Sequence, residues 1–174
     1  MRKQEQIMKK LTSMVRNLVL TVSIVMTQQS IAAIPDKQQQ VTPTDQQTMI
    51  LYYVNQYRIK HHLAPLKMMN VISQEAAIHS RDMASHAMSF GHDGFNGRFK
   101  RLYQKIKDCN GAAENVAYYK VDAKKLVEQW VASRGHRQNI EGNYNLTGIG
   151  IAYSKKGWAY YTQIFIRSNN KNYV

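Results

Sequence analysis

The sequence predicts an α+β domain in which a small antiparallel sheet is layered against helices. Three observations predict it. Apolar residues recur at helical spacing through the first half of the folded region. One strand-like run, "GAAENVAYY", stands alone between helical stretches. Two β-rich runs flank "SKKG" near the C-terminus and read as a hairpin. The order is therefore helix, helix, helix, strand, helix, strand, strand. Few strands among many helices imply layers of this kind.

The chain has 174 residues, with 24 Lys+Arg against 11 Asp+Glu. Its start reads as a leader. Arg2, Lys3, Lys9, Lys10 and Arg16 precede the apolar run Leu18 to Met26, and small residues follow at Ala32 and Ala33. This is the three-part form of a secretory signal over residues 1–33, with cleavage after Ala32 or Ala33. The apolar run is well short of the ~20 residues that cross a bilayer as a helix. Losing the leader lowers the net charge from +13 to +9 and leaves 141 residues, one ordinary domain. Residues 34–43, "IPDKQQQVTP", are polar and Gln-rich and read as a linker. The domain is expected over residues 44–174. The location implied is secreted, either extracellular or periplasmic, with no membrane span in the mature chain.

The first helix is expected over Thr44–His62, capped by Thr44 or Asp45. Ile50, Tyr53, Val54 and Tyr57 form its apolar stripe, and His61 and His62 suit its C-terminal dipole. Pro65 prevents its continuation. The second helix, Asn70–Met88, takes Asn70 as its cap. Its buried face holds Ile72, Ala76, His79, Met83 and His86; the two histidines read as core or boundary groups before ligands. A third helix, Asn96–Lys107, carries Arg98, Lys100, Arg101, Lys105 and Lys107, most simply a solvated basic face. Asp122 caps the fourth, Ala123–Ser133, which breaks toward Gly135. Gly157 suits the hairpin turn. Cys109 is the single cysteine, so no internal disulfide is expected and stability rests on packing.

Three polar residues stand where elements end or where charge is out of place. His92 follows "SFG", Glu114 lies between apolar residues of a strand, and His136 follows Gly135. A carboxylate inside such a strand needs a partner, because an unpaired buried charge is costly. An imidazole is the natural partner. Two neutral imidazoles and a carboxylate also make a partial shell for zinc or another divalent ion. A structural trio accounts for the spacing equally well. Serine catalysis lacks support, since no GxSxG is present. Nothing resembles an RNA-binding or helix-turn-helix signature, so no nucleic-acid partner is expected.

"LKMMNVISQEAAIHSRDMA", "FGHDG", "GAAENVA", "QWVASRGHRQNI", "TGIGIA" and "YTQIF" occur in the order found in the CAP superfamily. This is the group of cysteine-rich secretory proteins, antigen 5 and pathogenesis-related proteins, also called the SCP domain. The chain resembles its short, disulfide-free bacterial branch over about Thr44 to Ile166. The resemblance implies a three-layer α-β-α sandwich with a cleft lined by two histidines and two acids. His92 stands at the first histidine, Glu114 at the first acid and His136 at the second histidine. Ser133, three residues after Trp130, stands where eukaryotic members carry the second acid. Serine is a poorer metal ligand and no carboxylate base. Neither Glu128 nor Glu141 stands in its place. Arg137, Asn139 and Gln163 are expected to brace the loop and sheet around the cleft.

The expected function is a secreted CAP domain whose cleft, His92, Glu114, Ser133 and His136, binds a ligand rather than catalysing. Lipid or sterol is what the resemblance suggests. A divalent metal, zinc or magnesium, would sit at His92, Glu114 and His136. One alternative is a metal-assisted hydrolase in which Glu114 and His136 activate water. Another is a basic adhesion module for an anionic cell-surface polymer, using the Arg98 to Lys107 face with Lys124 and Lys125.

Overall fold

Helix α1 (Pro43–Lys60) opens the described fold. The computed structural model describes residues 43–173; the expected leader over 1–33 and the rest of the linker lie outside the described residues. After α1 come β1 (Lys67–Met68), α2 (Asn70–Ala84), α3 (Phe95–Lys105) and β2 (Cys109–Tyr119). Then follow α4 (Ala123–Ala132), α5 (Arg134–Glu141), β3 (Leu146–Tyr153) and β4 (Ala159–Ser168). The strands lie side by side in the order β1-β3-β4-β2.

The sheet is mixed. β4 pairs antiparallel with both β2 and β3, as the hairpin around "SKKG" requires. β1 adds two residues parallel to β3, Lys67 opposite Leu146 and Met68 opposite Thr147. It was not expected, because two residues after a proline carry no alternation to read.

Side chains alternate across the sheet and sort the helices into two layers. On one face Ile149, Ile151, Tyr161 and Phe165 pack with Ile50 and Val54 of α1, Leu126 and Trp130 of α4, and Ile140 of α5. On the other, Leu146, Ile164 and Ile166 pack with Ile72 and Ala76 of α2, Leu102 of α3 and Ile106 just beyond it. This is the three-layer α-β-α sandwich. The α1 stripe holds: Ile50 and Val54 are fully buried, with Tyr53 and Tyr57 half-buried beside them.

Two glycines set the distance between α2 and the sheet. Gly148 and Gly150 are successive residues of β3 on its α2 side, and a Cβ on either would overlap the backbone of Ile72 and Ser73, or of Ala76 and Ala77. Only a strand without side chains there lets the helix backbone approach so closely. Ser80 ties the same contact, its Oγ 3.0 Å from the Gly150 carbonyl and 2.9 Å from Thr162 Oγ1.

Four local expectations need correction. Asn70 is the first helical residue of α2; the cap position belongs to Met69, which makes no side-chain cap bond. α1 already runs through Thr44 and Asp45, because Pro43 suits a first helical turn. His86 lies past the end of α2, exposed, with φ 61°. The chain also does not reverse at Gly135: α4 stops at Ser133, and Gly135 lies inside the new helix α5. Asp122 does cap α4, accepting the Lys125 amide at 2.7 Å. Gly157 has φ +73° in the hairpin turn.

Candidate functional site: a buried carboxylate between an arginine and two histidines

Glu114 sits on β2 with its side chain toward α2 and α3, opposite Ile164 of β4. Its side chain is 1 % exposed. The dominant partner is not an imidazole. Arg98, itself buried in the first turn of α3, grips the carboxylate with both sides of its guanidinium: Nε donates to Oε2 at 2.9 Å and Nη2 to Oε1 at 2.7 Å. A third donor, Nη1, goes to the Asp93 carbonyl at 2.7 Å and so fixes the "FGHDG" loop to the same ion pair.

His92 completes the carboxylate's shell, with Nδ1 3.0 Å from Oε1. A carboxylate oxygen accepts here, so His92 Nδ1 donates. The His92 side chain is 55 % exposed, on the surface side of the site. The expected pairing of Glu114 with an imidazole is thus present, in second place behind the guanidinium.

His79 lies beneath them, 1 % exposed on α2. Its Nε2 is 2.9 Å from the Gly91 carbonyl and 3.9 Å from Glu114 Oε1. The carbonyl can only accept, so Nε2 is protonated, and Nδ1 is a buried lone pair without a hydrogen-bond partner. Burial pushes the His79 pKa below the usual imidazole range, against the pull of the Gly91 carbonyl; the charges of Arg98 and His92 push the same way as burial.

His136 is carried by α5 and is half-buried. It makes no hydrogen bond to Glu114 or His92 among the described residues; its Nδ1 is buried and unpartnered. Burial lowers its pKa, a backbone hydrogen bond at Val116 opposes this, and the charge of His92 lowers it further. The ring lies 6.3 Å from that of Trp130. Two asparagines fasten α5 to β2. Asn115 Nδ2 donates to the His136 carbonyl at 3.1 Å, and Asn139 Nδ2 donates to the Glu114 carbonyl at 3.1 Å and to Asn115 Oδ1 at 2.8 Å. Arg137 braces the other end, donating to the Val131 carbonyl at 2.7 Å. Gln163 bonds Thr147 Oγ1 at 3.2 Å within the sheet.

Ser133 sits at the α4–α5 junction, half-buried, with no side-chain cap bond. It is not joined to Glu114 or to the histidines. Glu128 is exposed and pairs with Lys125, and Glu141 accepts the Tyr57 hydroxyl at 2.6 Å.

The basic stretch of α3 is a solvated face only in part: Lys100, Arg101, Lys105 and Lys107 are exposed. Arg98 is buried in the site, and Arg101 and Lys105 hold the buried carboxylate of Glu75 at 2.8 and 3.6 Å. Arg98 was legible in principle: it lies four residues before Leu102 and eight before Ile106, on the helix face that goes inside.

The described residues contain no group of three or more His, Cys, Asp and Glu placed to hold a metal ion. Both oxygens of Glu114 already accept from Arg98. A three-ligand zinc or magnesium shell at His92, Glu114 and His136 does not fit this donor set.

The family model described as "Cysteine-rich secretory protein family" (CAP) matches residues 51–165. Among curated proteins, the uncharacterized membrane protein YlbC of Bacillus subtilis is 34% identical over 137 residues, 78% of this chain and 38% of that protein. The uncharacterized protein YkwD of the same organism is 31% identical over 119 residues, 67% of this chain and 45% of that protein. The chain thus spans less than half the length of either relative. Among solved structures, an extracellular Bacillus anthracis protein containing a SCP domain superposes with TM-score 0.60 at 29% identity, covering 77% of this chain and 44% of that one. An outer surface protein of Borrelia burgdorferi has TM-score 0.62 at 13% identity, covering 77% and 96%, which shows a shared fold.

Proposed function

The chain belongs to the CAP, or cysteine-rich secretory protein, family, and from that premise we propose that it is a secreted domain that binds a ligand beside His92, Glu114 and His136 and performs no hydrolysis. The observation that carries this reading is the bidentate grip of Arg98 on Glu114. A general base needs a free lone pair within reach of the proton it takes. Glu114 has its charge matched by a guanidinium, already accepts three hydrogen bonds and has a side chain only 1 % exposed, so it is poorly placed to take a proton from a substrate, and Ser133 supplies no second acid.

What the site does offer is an exposed His92 ring and a loop fastened by His79 and Arg98. Such a rim suits hydrogen bonding to a ligand more than it suits driving a reaction. The ligand class suggested by the family resemblance is a lipid or sterol. Secretion is supported by the leader-like residues 1–33 and by the extracellular and outer-surface descriptions of the Bacillus anthracis and Borrelia proteins. No helix among the described residues is long and apolar enough to cross a membrane.

The test is a fluorescence titration of the full chain with cis-parinaric acid, a fluorescent fatty acid, beside a casein-cleavage assay. We expect saturable binding, weakened about tenfold in the His92→Ala/His136→Ala variant with its circular dichroism unchanged. We expect no cleavage. Cleavage that Glu114→Gln abolishes would overturn the non-catalytic reading. Binding indifferent to both histidines would remove the site from ligand recognition.

A further inference from the structure

A second surface, beyond the histidine site, is built for contact. Four aromatic rings form a continuous ladder where β2 ends and β4 begins. Tyr118 stacks on Tyr160 at 5.5 Å and 20°. Trp158 flanks Tyr118 at 5.6 Å, and Phe90 meets its edge at 5.0 Å. Tyr118 is 45% exposed, Phe90 49% and Trp158 38%. Monomers seldom leave several large rings together in water without a use.

The ladder is anchored from below and at both ends. Tyr160 is buried on Met83, Ala84 and Val116. Trp158 is held by two hydrogen bonds to Ser154 across the hairpin turn, and Phe90 adjoins Gly91, whose carbonyl His79 binds. One end is cationic. Lys120 Nζ lies 5.4 Å from the centre of the Trp158 ring, and exposed Lys155 and Lys156 stand in the turn that carries Trp158.

We propose that the Phe90–Tyr118–Trp158 face, with Lys120, binds an acidic polysaccharide. Sugar rings present flat C–H faces that rest on aromatic rings, while tyrosine hydroxyls and the indole N–H meet their hydroxyl edges. A carboxylate or phosphate on the chain falls to Lys120, whose ammonium already lies beside the tryptophan. The charge complementarity is general as well as local, since the chain keeps a net charge of +9 without the expected leader. A bilayer fits less well: no aliphatic side chain joins the exposed rings of the ladder to enter the acyl region. Single-stranded nucleic acid fits less well too, because the lysines gather at one end and do not track along the ladder.

The experiment titrates the full chain with polygalacturonate and follows tryptophan emission. Trp130 is buried and Trp158 is exposed, so a change on binding reports Trp158. Dextran, phosphatidylglycerol vesicles and oligo-dT are the comparison probes. We expect saturable binding of polygalacturonate, weaker binding of dextran, and about a five- to tenfold loss in Trp158→Ala. Because that variant loses the reporter, its binding is read by co-sedimentation. Lys120→Gln, which keeps the ladder, should lose affinity for polygalacturonate while leaving dextran unchanged. Equal binding by Trp158→Ala would overturn the proposal, as would preference for the vesicles or the oligonucleotide. His92→Ala/His136→Ala should bind polygalacturonate like the wild type; parallel loss there would also overturn it.

Discussion

Glu114 shows how a single residue can be legible as a problem and illegible in its solution. A carboxylate between Ala113 and Val116 had to find a positive or hydrogen-bonding partner. The sequence offered two histidines as candidates, and one of them, His92, does bond it. The stronger partner is Arg98, hidden because a run of basic residues reads as solvent-facing unless its helical phase is followed residue by residue. Removing one member of such a buried pair leaves the other uncompensated. Arg98→Met should therefore cost about 3–5 kcal/mol of stability. Arg98→Met with Glu114→Gln should recover a good part of that loss, since neither buried group is then charged. Urea unfolding of the three variants checks this; a double variant no better than the single would mean that the arginine acts through its bond to Asp93 instead.

At the scale of elements, β2, β3 and β4 and the four helices α1 to α4 follow from periodicity, caps and turn residues. α5 does not, and the reason is Gly135. Glycine in a helix interior costs up to about 1 kcal/mol against alanine, so it is read as a stop. Here the packing of Ile140 and the bonds of Asn115 and Asn139 to β2 outweigh that cost. Gly135 does not have positive φ, and a Cβ there would meet nothing within 4 Å. Gly135→Ala should thus stabilise by about 0.4–1 kcal/mol. Gly150→Ala should do the reverse, with a loss of about 1–3 kcal/mol or more, because the added carbon meets the α2 backbone and not a movable side chain. The two melting shifts should have opposite signs. A loss at Gly135 would show that α5 needs its backbone freedom after all.

For the molecule as a whole, stability rests on two packed faces with no covalent staple: Cys109 is buried and free, and burial raises its thiol pKa. That part was plain from a single cysteine. The mixed sheet was not, since β1 is too short to carry a pattern. The histidines add a global pH dependence. His79 and His136 are both held below their unfolded pKa of about 6.5, chiefly by burial. Below that pH the unfolded chain binds more protons than the folded one, so stability must fall as acidity rises through and below pH 6.5. Unfolding midpoints taken from pH 7.5 to pH 5 should decline. His79→Gln should flatten the slope even if it lowers the plateau; an unchanged slope would mean that other groups carry the titration.

The position of α5 has a further consequence for how copies of the protein meet. Among the described residues β2 is an edge of the sheet, eleven residues long, and an edge of that length invites a strand from another molecule. Asn139 already occupies the Glu114 carbonyl near the middle of that border. An incoming strand would have to evict the asparagine and lift the helix before it could add a rung. The same short helix that carries His136 therefore stands in the way of a strand added along that part of β2.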